Sequence, residues 1–403
     1  MKKVLTEFKA NSDSESREMF FVHLGDGCAW FGEALYAIKE EWINNGYQVT
    51  DILIRENRPI YVASIKAYVP FASKKIPKMP TREDIIMVVD KFTEKKKSFD
   101  GATIDFSFYV MGLGIFRVNY SADASSVGLS IRYLTFQIPT FDSINYPSFY
   151  AKTIKNVISA NPVQTPGGTI NVSSVNSGGL ILHVGATGSG KTTSIAAEIG
   201  YIAESTTGVV ITYENPIEYR YIATKAPVRQ YEIDKDIKGD DERTVFENIK
   251  RHLLRNNPSV VLIGEARDNS EIKAMLDFAA RGHLVFGTIH SSNVKEALTT
   301  LMAVSKNEPY LLANSLQAIV AHKLIMSTDG SIVPLFEILI PDITIKTNLA
   351  KGDMSAINRS FYTEKTLNTG KTFSQSLEEC VQNKKITPAE ARDIKVSNYG
   401  LFG

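Results

Sequence analysis

The sequence predicts an α/β protein: a mostly parallel sheet covered by helices on both faces, preceded by a smaller α+β domain. Three observations predict it. Near-continuous apolar runs at 180–184 (LILHV), 209–213 (VVITY), 260–264 (VVLIG) and 284–289 (LVFGTI) alternate with helical segments, as strands buried on both faces do. Upstream, shorter strand-like runs at 49–54, 61–69, 104–110, 114–120 and 127–134 are interrupted by one helical stretch, 82–97, which fits an antiparallel sheet with a helical cover. Between these regions, residues 161–179 (NPVQTPGGTINVSSVNSGG) are dense in turn formers and read as a loop.

Taken in order, residues 1–18 are polar and read as a flexible amino terminus, and residues 19–146 as the α+β domain. In that domain Leu35, Ile38 and Trp42 share one face of a helix over 34–44. Residues 147–179 read as a linker that includes a short helix near 149–159. In it Gly167-Gly168 and Gly178-Gly179 could absorb dihedral change as a hinge. The larger domain spans 180–403 and reads as mostly helical from about 294, with one further strand at 332–340. Near its end Thr387, Pro388 and Glu390 spell a helix start: a capping hydroxyl, a first-turn proline and a carboxylate that reaches back.

Composition removes several function classes. The chain has 403 residues, 43% hydrophobic, which is ample material for folded cores, and a net charge of +1. No basic imbalance supports nucleic-acid binding, and the run Lys95, Lys96, Lys97 reads as a solvated helix face. Cys28 and Cys380 are too few for a four-cysteine zinc site and too far apart to suggest a redox pair. They read as free thiols of a reducing compartment. The basic start, MKK, has no apolar core behind it and no run approaches about 18 apolar residues. A cytoplasmic protein without a secretory signal or transmembrane segment is expected, able to meet a membrane through a partner.

Residues 185–192 (GATGSGKT) match G-x-x-x-x-G-K-[ST] and lie between the strand LILHV and a helical segment, the setting that gives this motif meaning. Gly185, Gly188 and Gly190 let the backbone turn its amides inward. Ala186, Thr187, Ser189 and Thr193 complete the cradle at a helix amino terminus. Lys191 is placed for the β- and γ-phosphates of ATP, and the Thr192 hydroxyl for Mg²⁺.

A sheet of this kind offers its ligands at the carboxyl ends of its strands. VVITY ends in Glu214, VVLIG in Glu265, and LVFGTI in His290, with His283 just before that strand. Hydrolysis needs one carboxylate to orient and deprotonate water and another to hold the metal; two strand-end glutamates can supply both. Asp268, ahead of Asn269 and Ser270, reads equally as a site residue or as a helix cap. His283 and His290 lack the spacing of a zinc site and read as structural or phosphate-contacting side chains.

Four stretches in this order, GATGSGKTTS, TYENPIEY, VVLIGEARD and GHLVFGTIHSSN, resemble the Walker A, Asp, Walker B and His boxes of the secretion ATPase superfamily, most closely its type IV pilus retraction branch. IDFSFYVMGLGIFRVNY upstream and GSIVPLFEILI downstream extend the similarity over roughly residues 50–395. The resemblance implies a RecA-like P-loop domain behind a PAS-like domain, and a homohexamer with ATP at subunit interfaces. It assigns Glu214 as the catalytic carboxylate and Glu265 as the Walker B acid near Mg²⁺. It gives His290 and His283 contacts to phosphate, and makes Arg117 and Arg132 arginines that reach nucleotide. On residues alone, those two arginines read as strand residues pairing with surface acids. Arg251 and Arg255, at i and i+4, fit an amphipathic helix or an interface role equally.

The chain departs from the family at Asn215, where an acid is usual, and over residues 225–245, which look rebuilt. It lacks the four-cysteine zinc site and the extra domain of the assembly ATPases. It therefore resembles the compact branch, which also includes type IVB secretion and conjugative-transfer ATPases. The implied partner is an inner-membrane platform or a secretion-complex protein, with the chain peripheral at the inner face. A nucleic-acid translocase and a non-hydrolysing ATP switch are the competing readings.

Overall fold

Apolar residues at every second position of residues 103–134 pack onto helices on one side, and the chain between them turns tightly enough to pair neighbouring strands. The computed structural model describes residues 5–10, 12–45, 49–64, 67–74, 79–93, 103–123, 126–134, 138–166, 168–175, 178–221, 224–233, 236–237, 242–327, 331–362 and 370–398. It divides into two compact units, residues 1–137 and 138–403.

The first unit runs β1 (Leu5–Phe8), α1 (Asp13–Leu24), α2 (Ala29–Glu41), β2 (Asp51–Arg55), β3 (Ile60–Ser64), β4 (Ala67–Phe71), α3 (Arg82–Phe92), β5 (Thr103–Val110), β6 (Gly114–Ala122) and β7 (Val127–Leu134). The strands form one sheet in the order β1-β5-β6-β7-β2-β3-β4, antiparallel except for the parallel pair β1–β5. Phe20 of α1, Phe31 and Leu35 of α2, and Val88 of α3 pack with Phe108, Phe116 and Ile131 of the strands in a single core. Thr81 and Asp84 start α3 with a reciprocal capping box.

The second unit opens with α4 (Ser148–Asn156), β8 (Ile158–Thr165) and β9 (Gly168–Val175). Then come β10 (Gly179–Val184), α5 (Lys191–Ser205), β11 (Val210–Glu214), β12 (Val228–Glu232), α6 (Glu242–Asn256), β13 (Val260–Ile263), α7 (Asn269–Ala280) and β14 (Leu284–Ile289). It closes with α8 (Val294–Val304), α9 (Pro309–Ser315), β15 (Leu316–Met326), β16 (Ile332–Leu339), α10 (Ile343–Lys351), α11 (Met354–Tyr362), β17 (Gly370–Lys371), α12 (Phe373–Gln382) and α13 (Pro388–Ser397). Eight strands lie in the order β12-β11-β13-β14-β10-β15-β16-β17. The first six are parallel; β16 and β17 are antiparallel. Every residue of β10, β11, β13 and β14 is buried, because α4 and α5 cover one face and helices from α6 to α9 the other. This is the doubly covered sheet that the unbroken apolar runs predict.

Several expectations are corrected. The amino terminus read as flexible holds β1, paired with β5, and the start of α1; four alternating residues are too short a signal to read unaided. The boundary placed after residue 146 falls at Gln137/Ile138, because Phe141, Tyr146 and Tyr150 belong to the core that contains Ile195 and Phe286. The stretch read as a linker loop holds most of the β8–β9 hairpin, in which Pro162 pairs with Asn171 and Thr165 with Gly168. Thr206 Oγ1 (2.9 Å) and Thr207 N (3.1 Å) bind the Ser173 carbonyl, tying the hairpin to the end of α5. Gly178-Gly179 is no hinge: a Cβ on Gly178 would lie 2.4 Å from the Gly282 backbone, and Gly179 N bonds the His283 carbonyl. The region after 294 holds the long central strand β15, whose apolar run LQAIVAHKLIM has no period that separates strand from buried helix. Gly167 and Lys95, Lys96 and Lys97 lie outside the described residues. Cys28 and Cys380 are buried and free. Among the described residues no helix is long and apolar enough to cross a membrane.

Glu337 of β16 is fully buried, and its Oε2 accepts from Val294 N, 2.7 Å, at the start of α8. Burial pushes its carboxyl up to about 7. The folded chain thus holds this proton more tightly than the unfolded chain, so the stability linked to it is full below about pH 4.5 and is lost as pH rises to about 7. The loss amounts to about 3 kcal/mol. Glu337→Gln keeps an acceptor for Val294 and should flatten that slope in urea denaturation at about pH 5 and about pH 8. An unchanged slope would remove Glu337 as its source.

Candidate active site

Immediately after Val184, its last buried residue, β10 must reverse direction without a side chain in the way. Gly185 has φ +145°, and a Cβ there would stand 2.6 Å from Ser189 Oγ and 2.7 Å from the His322 carbonyl. Only glycine fits. The loop ends at Gly190, φ +97°, which caps α5 without any side-chain hydrogen bond, leaving the first-turn amides oriented for an anion. Ser189 Oγ is buried without a partner. Ala186, Thr187 and Gly188 are exposed, and Lys191, Thr192 and Thr193 are half-buried on the first turn of α5. Lys191 Nζ donates to the carbonyls of Gly185 (2.7 Å) and Ala186 (3.0 Å). Burial lowers its pKa, while the charges of Glu265 and Glu218 act the other way. An unpartnered hydroxyl, an uncapped helix start and a lysine curled over loop carbonyls together fit a phosphate chain.

The strand-end acids stand at the same sheet edge. Glu214 closes β11, 6% exposed; its Oε1 accepts from Thr212 Oγ1 (2.6 Å) and Gln230 Nε2 (3.2 Å). Burial raises its pKa, and these two donors partly offset that. Gly264, next to Glu265, donates its N–H to the Tyr213 carbonyl (2.8 Å), and a Cβ there would come within 3.3 Å of Glu214 Cα. This close approach sets the two acids on adjacent strand ends. Glu265 Oε1 meets His290 Nε2 at 2.5 Å and its Oε2 meets Arg267 Nε at 3.2 Å. Thr288 Oγ1 donates to the Gly264 carbonyl (2.5 Å), which locks this turn to β14.

Other expected residues lie elsewhere. His283 precedes β14 at the amino edge of the sheet and its Nδ1 contacts the Pro258 carbonyl at 2.7 Å. The length of β14, about 20 Å, separates it from His290, so one chain does not bring both to the same phosphate. Arg117 and Arg132 are in the first unit, directly opposite one another on β6 and β7. Arg132 Nε pairs with Asp51 Oδ1 at 3.2 Å. Two like charges facing across a ladder are unfavourable alone; Asp51 offsets one of them. Asp268 is the cap of α7, accepting from Ser270 N (2.7 Å) and Glu271 N (2.9 Å), and the Ser270 hydroxyl and these amides lower its pKa. Arg251 and Arg255 lie on the exposed side of α6, opposite buried Phe246, Ile249 and Leu253.

Comparison with known proteins gives the family. A family model described as type II/IV secretion system protein matches residues 156–384, more than half of the chain. The type IV pilus ATPase PilU of Pseudomonas aeruginosa is 28% identical over 318 residues, covering 77% of this chain and 76% of that protein. The crystal structure of the pilus retraction motor PilT with bound ADP is 27% identical with TM-score 0.69, over 89% of this chain and 95% of that one. The Legionella pneumophila ATPase DotB, 22% identical with TM-score 0.72 over 91% and 95%, is alike in fold.

A buried polar chain that the sequence reading missed lies behind the phosphate loop. Tyr146 OH donates to Glu198 Oε1, Glu198 Oε2 meets His183 Nε2 at 3.1 Å, and His183 Nδ1 meets His322 Nε2 at 2.9 Å. Glu198 and His183 are wholly buried. Burial, with the charges of His183 and Lys191, drives the pKa of His322 far down. The available signal was polarity out of place: a histidine inside LILHV and a glutamate inside SIAAEIGYIA. Glu198→Ala leaves the Tyr146 hydroxyl and His183 Nε2 buried without a partner and should cost about 3–5 kcal/mol in urea denaturation. The apolar set Tyr146→Phe, Glu198→Met, His183→Leu and His322→Leu removes the whole chain of polar groups together and should cost clearly less. Equal losses would mean that packing, not the unpaired polar groups, sets the cost.

Proposed function

This chain belongs to the type II/IV secretion system protein family and is an ATPase of it, and we propose that it is the homohexameric motor of a type IV pilus, acting in retraction, or of a related secretion machine. The observation that carries this reading is the shared edge of β10, β11, β13 and β14. There a built phosphate cradle and two differently placed carboxylates meet. In this reading the amides of Gly185–Thr193 and the Lys191 ammonium hold the β- and γ-phosphates of ATP. Among the described residues no three His, Cys, Asp or Glu side chains cluster to hold a metal. The hard oxygens of Thr192 and Glu265 are the ones that would hold a Mg²⁺, which would supply charge neutralisation to the phosphate chain.

Glu214, with its raised pKa, takes the proton of the attacking water. The water oxygen bonds to the γ-phosphorus, and the bond to the bridging oxygen breaks to leave ADP and phosphate. His290, oriented by Glu265, faces the same charge. Arg117 and Arg132 of a neighbouring subunit neutralise the leaving phosphoryl group. His283, at the far edge of the sheet, has no part in this scheme. Phosphate-dependent docking of one subunit's first unit on the next turns hydrolysis into movement at the inner face of the membrane, against a membrane platform protein. PilU and PilT favour the pilus branch over a conjugative or type IVB machine, and the near-neutral charge disfavours DNA as the load.

Two measurements test the reading. Lys191→Ala should abolish ADP binding, whereas Glu214→Gln should keep ATP binding and lose turnover by at least about 100-fold. Glu214→Gln that still turns over would end the assignment of the base. With ATP, the same variant should capture a polytopic pilus platform protein from native membranes. Capture of coupling or secretion-complex components instead would move the chain to the secretion and conjugation branch.

A further inference from the structure

β12 lies in the stretch 225–245, which the sequence reading assigned no role, and it places one amide side chain against the buried acid. We propose that Gln230 is a positioning residue for hydrolysis, fixing the plane of the Glu214 carboxylate and tying it to the helix that bears the phosphate loop. The proposal rests on Glu214 as the group that activates water and deepens that reading.

β12 pairs with β11 in parallel register, Thr212 opposite Gln230. Thr212 and Glu214, two residues apart, point to the same face of the sheet. Both Thr212 Oγ1 and Gln230 Nε2 donate to Glu214 Oε1, at 2.6 and 3.2 Å. With two donors on one oxygen, turning the carboxylate about its last bond breaks both hydrogen bonds at once, so the direction of Oε2 is fixed too.

The Gln230 amide is itself held on all sides. Its Nε2 donates a second time, to the Tyr219 carbonyl at 2.7 Å, and its Oε1 accepts from Tyr221 N at 3.1 Å. A primary amide has two donor hydrogens, and both are used. Tyr219 OH donates to Thr193 Oγ1 at 3.3 Å, on the first turn of α5. The contacts thus run Glu214, Gln230, Tyr219, Thr193, from the base to the phosphate-binding helix. A neutral amide suits the place: an acid there would add a second negative charge beside Glu214, where Glu218 already acts against ionisation. Catalysis by orientation is steep, and a misplacement of about 1 Å costs about 100-fold. A residue whose role is to aim Glu214 should therefore change turnover far more than binding.

The test uses the full chain with ATP and ADP. Gln230→Met keeps length and volume but loses all three bonds. Gln230→Glu keeps the acceptor for Tyr221 N and loses both donations, so it preserves the loop should Gln230→Met fold poorly. Both variants should lower kcat about 10- to 100-fold, with KM for ATP and the affinity for ADP within about twofold. Because Gln230 acts through Glu214, Gln230→Met combined with Glu214→Gln should be no slower than Glu214→Gln alone. An unchanged kcat in Gln230→Glu overturns the proposal, and so does a fall in kcat matched by an equal fall in ADP affinity, which would mark a structural role. If Glu214→Gln itself still turns over, the assignment of the base fails first and Gln230 falls with it. If Glu214→Gln is inactive and the Gln230 variants are not slowed, Gln230 alone is wrong.

Discussion

Val210, Val260, Leu284 and Gly179 face one another across β11, β13, β14 and β10, and this register decides where each strand leaves the sheet. Parallel strands release their ends on one edge. Glu214, Glu265, His290 and Gly185 therefore emerge together, although they are far apart in sequence. A slip of one residue would turn every side chain of a strand to the opposite face. With both faces covered by helices, such a slip has no solvent side to use and would disrupt two packed layers.

That register also creates the electrostatic problem of the site. Glu214 is nearly buried, Lys191 half-buried, and both are pushed toward their neutral forms. The surrounding groups counter this unequally. Lys191 has the charges of Glu265 and Glu218 nearby, whereas Glu214 has only neutral side-chain donors, Thr212 and Gln230. Glu214 thus keeps a raised affinity for a proton, the property the proposed base needs. Glu265, on the adjacent strand end, differs in its partners, Arg267 and His290.

Behind the loop, Tyr146, Glu198, His183 and His322 occupy positions where apolar side chains would pack as well or better. The network joins the segment that opens the second unit to α5, β10 and β15, the three elements around Gly185. Its hydrogen bonds are directional, so they constrain the relative seating of these elements more narrowly than aliphatic contacts would. The close approach of the His322 carbonyl to Gly185 makes that seating matter to the phosphate loop itself.

Much of this was legible in the chain. The unbroken apolar strands gave the doubly covered sheet, because burial on both faces leaves no polar period. The phosphate loop could be read because its glycines, lysine and threonine are contiguous and their chemistry is local. Glu214, Glu265 and His290 could be placed from one rule, that parallel strands present their carboxyl ends together. His283 was read there as a phosphate contact too, but it begins its strand instead of ending it and lies at the opposite edge. What the sequence left open depends on partners distant along the chain. Asp268 became a helix cap only when the amides of α7 were seen to turn toward it. Gln230 belongs to no motif, and its contact with Glu214 depends on β12 lying beside β11. The β8–β9 hairpin and β15 were obscured because turn residues and short apolar runs do not say what they pair with. Local chemistry is written in neighbouring residues; pairing, register and the burial of Glu198 against His183 are long-range contacts, and the tertiary structure alone decided them.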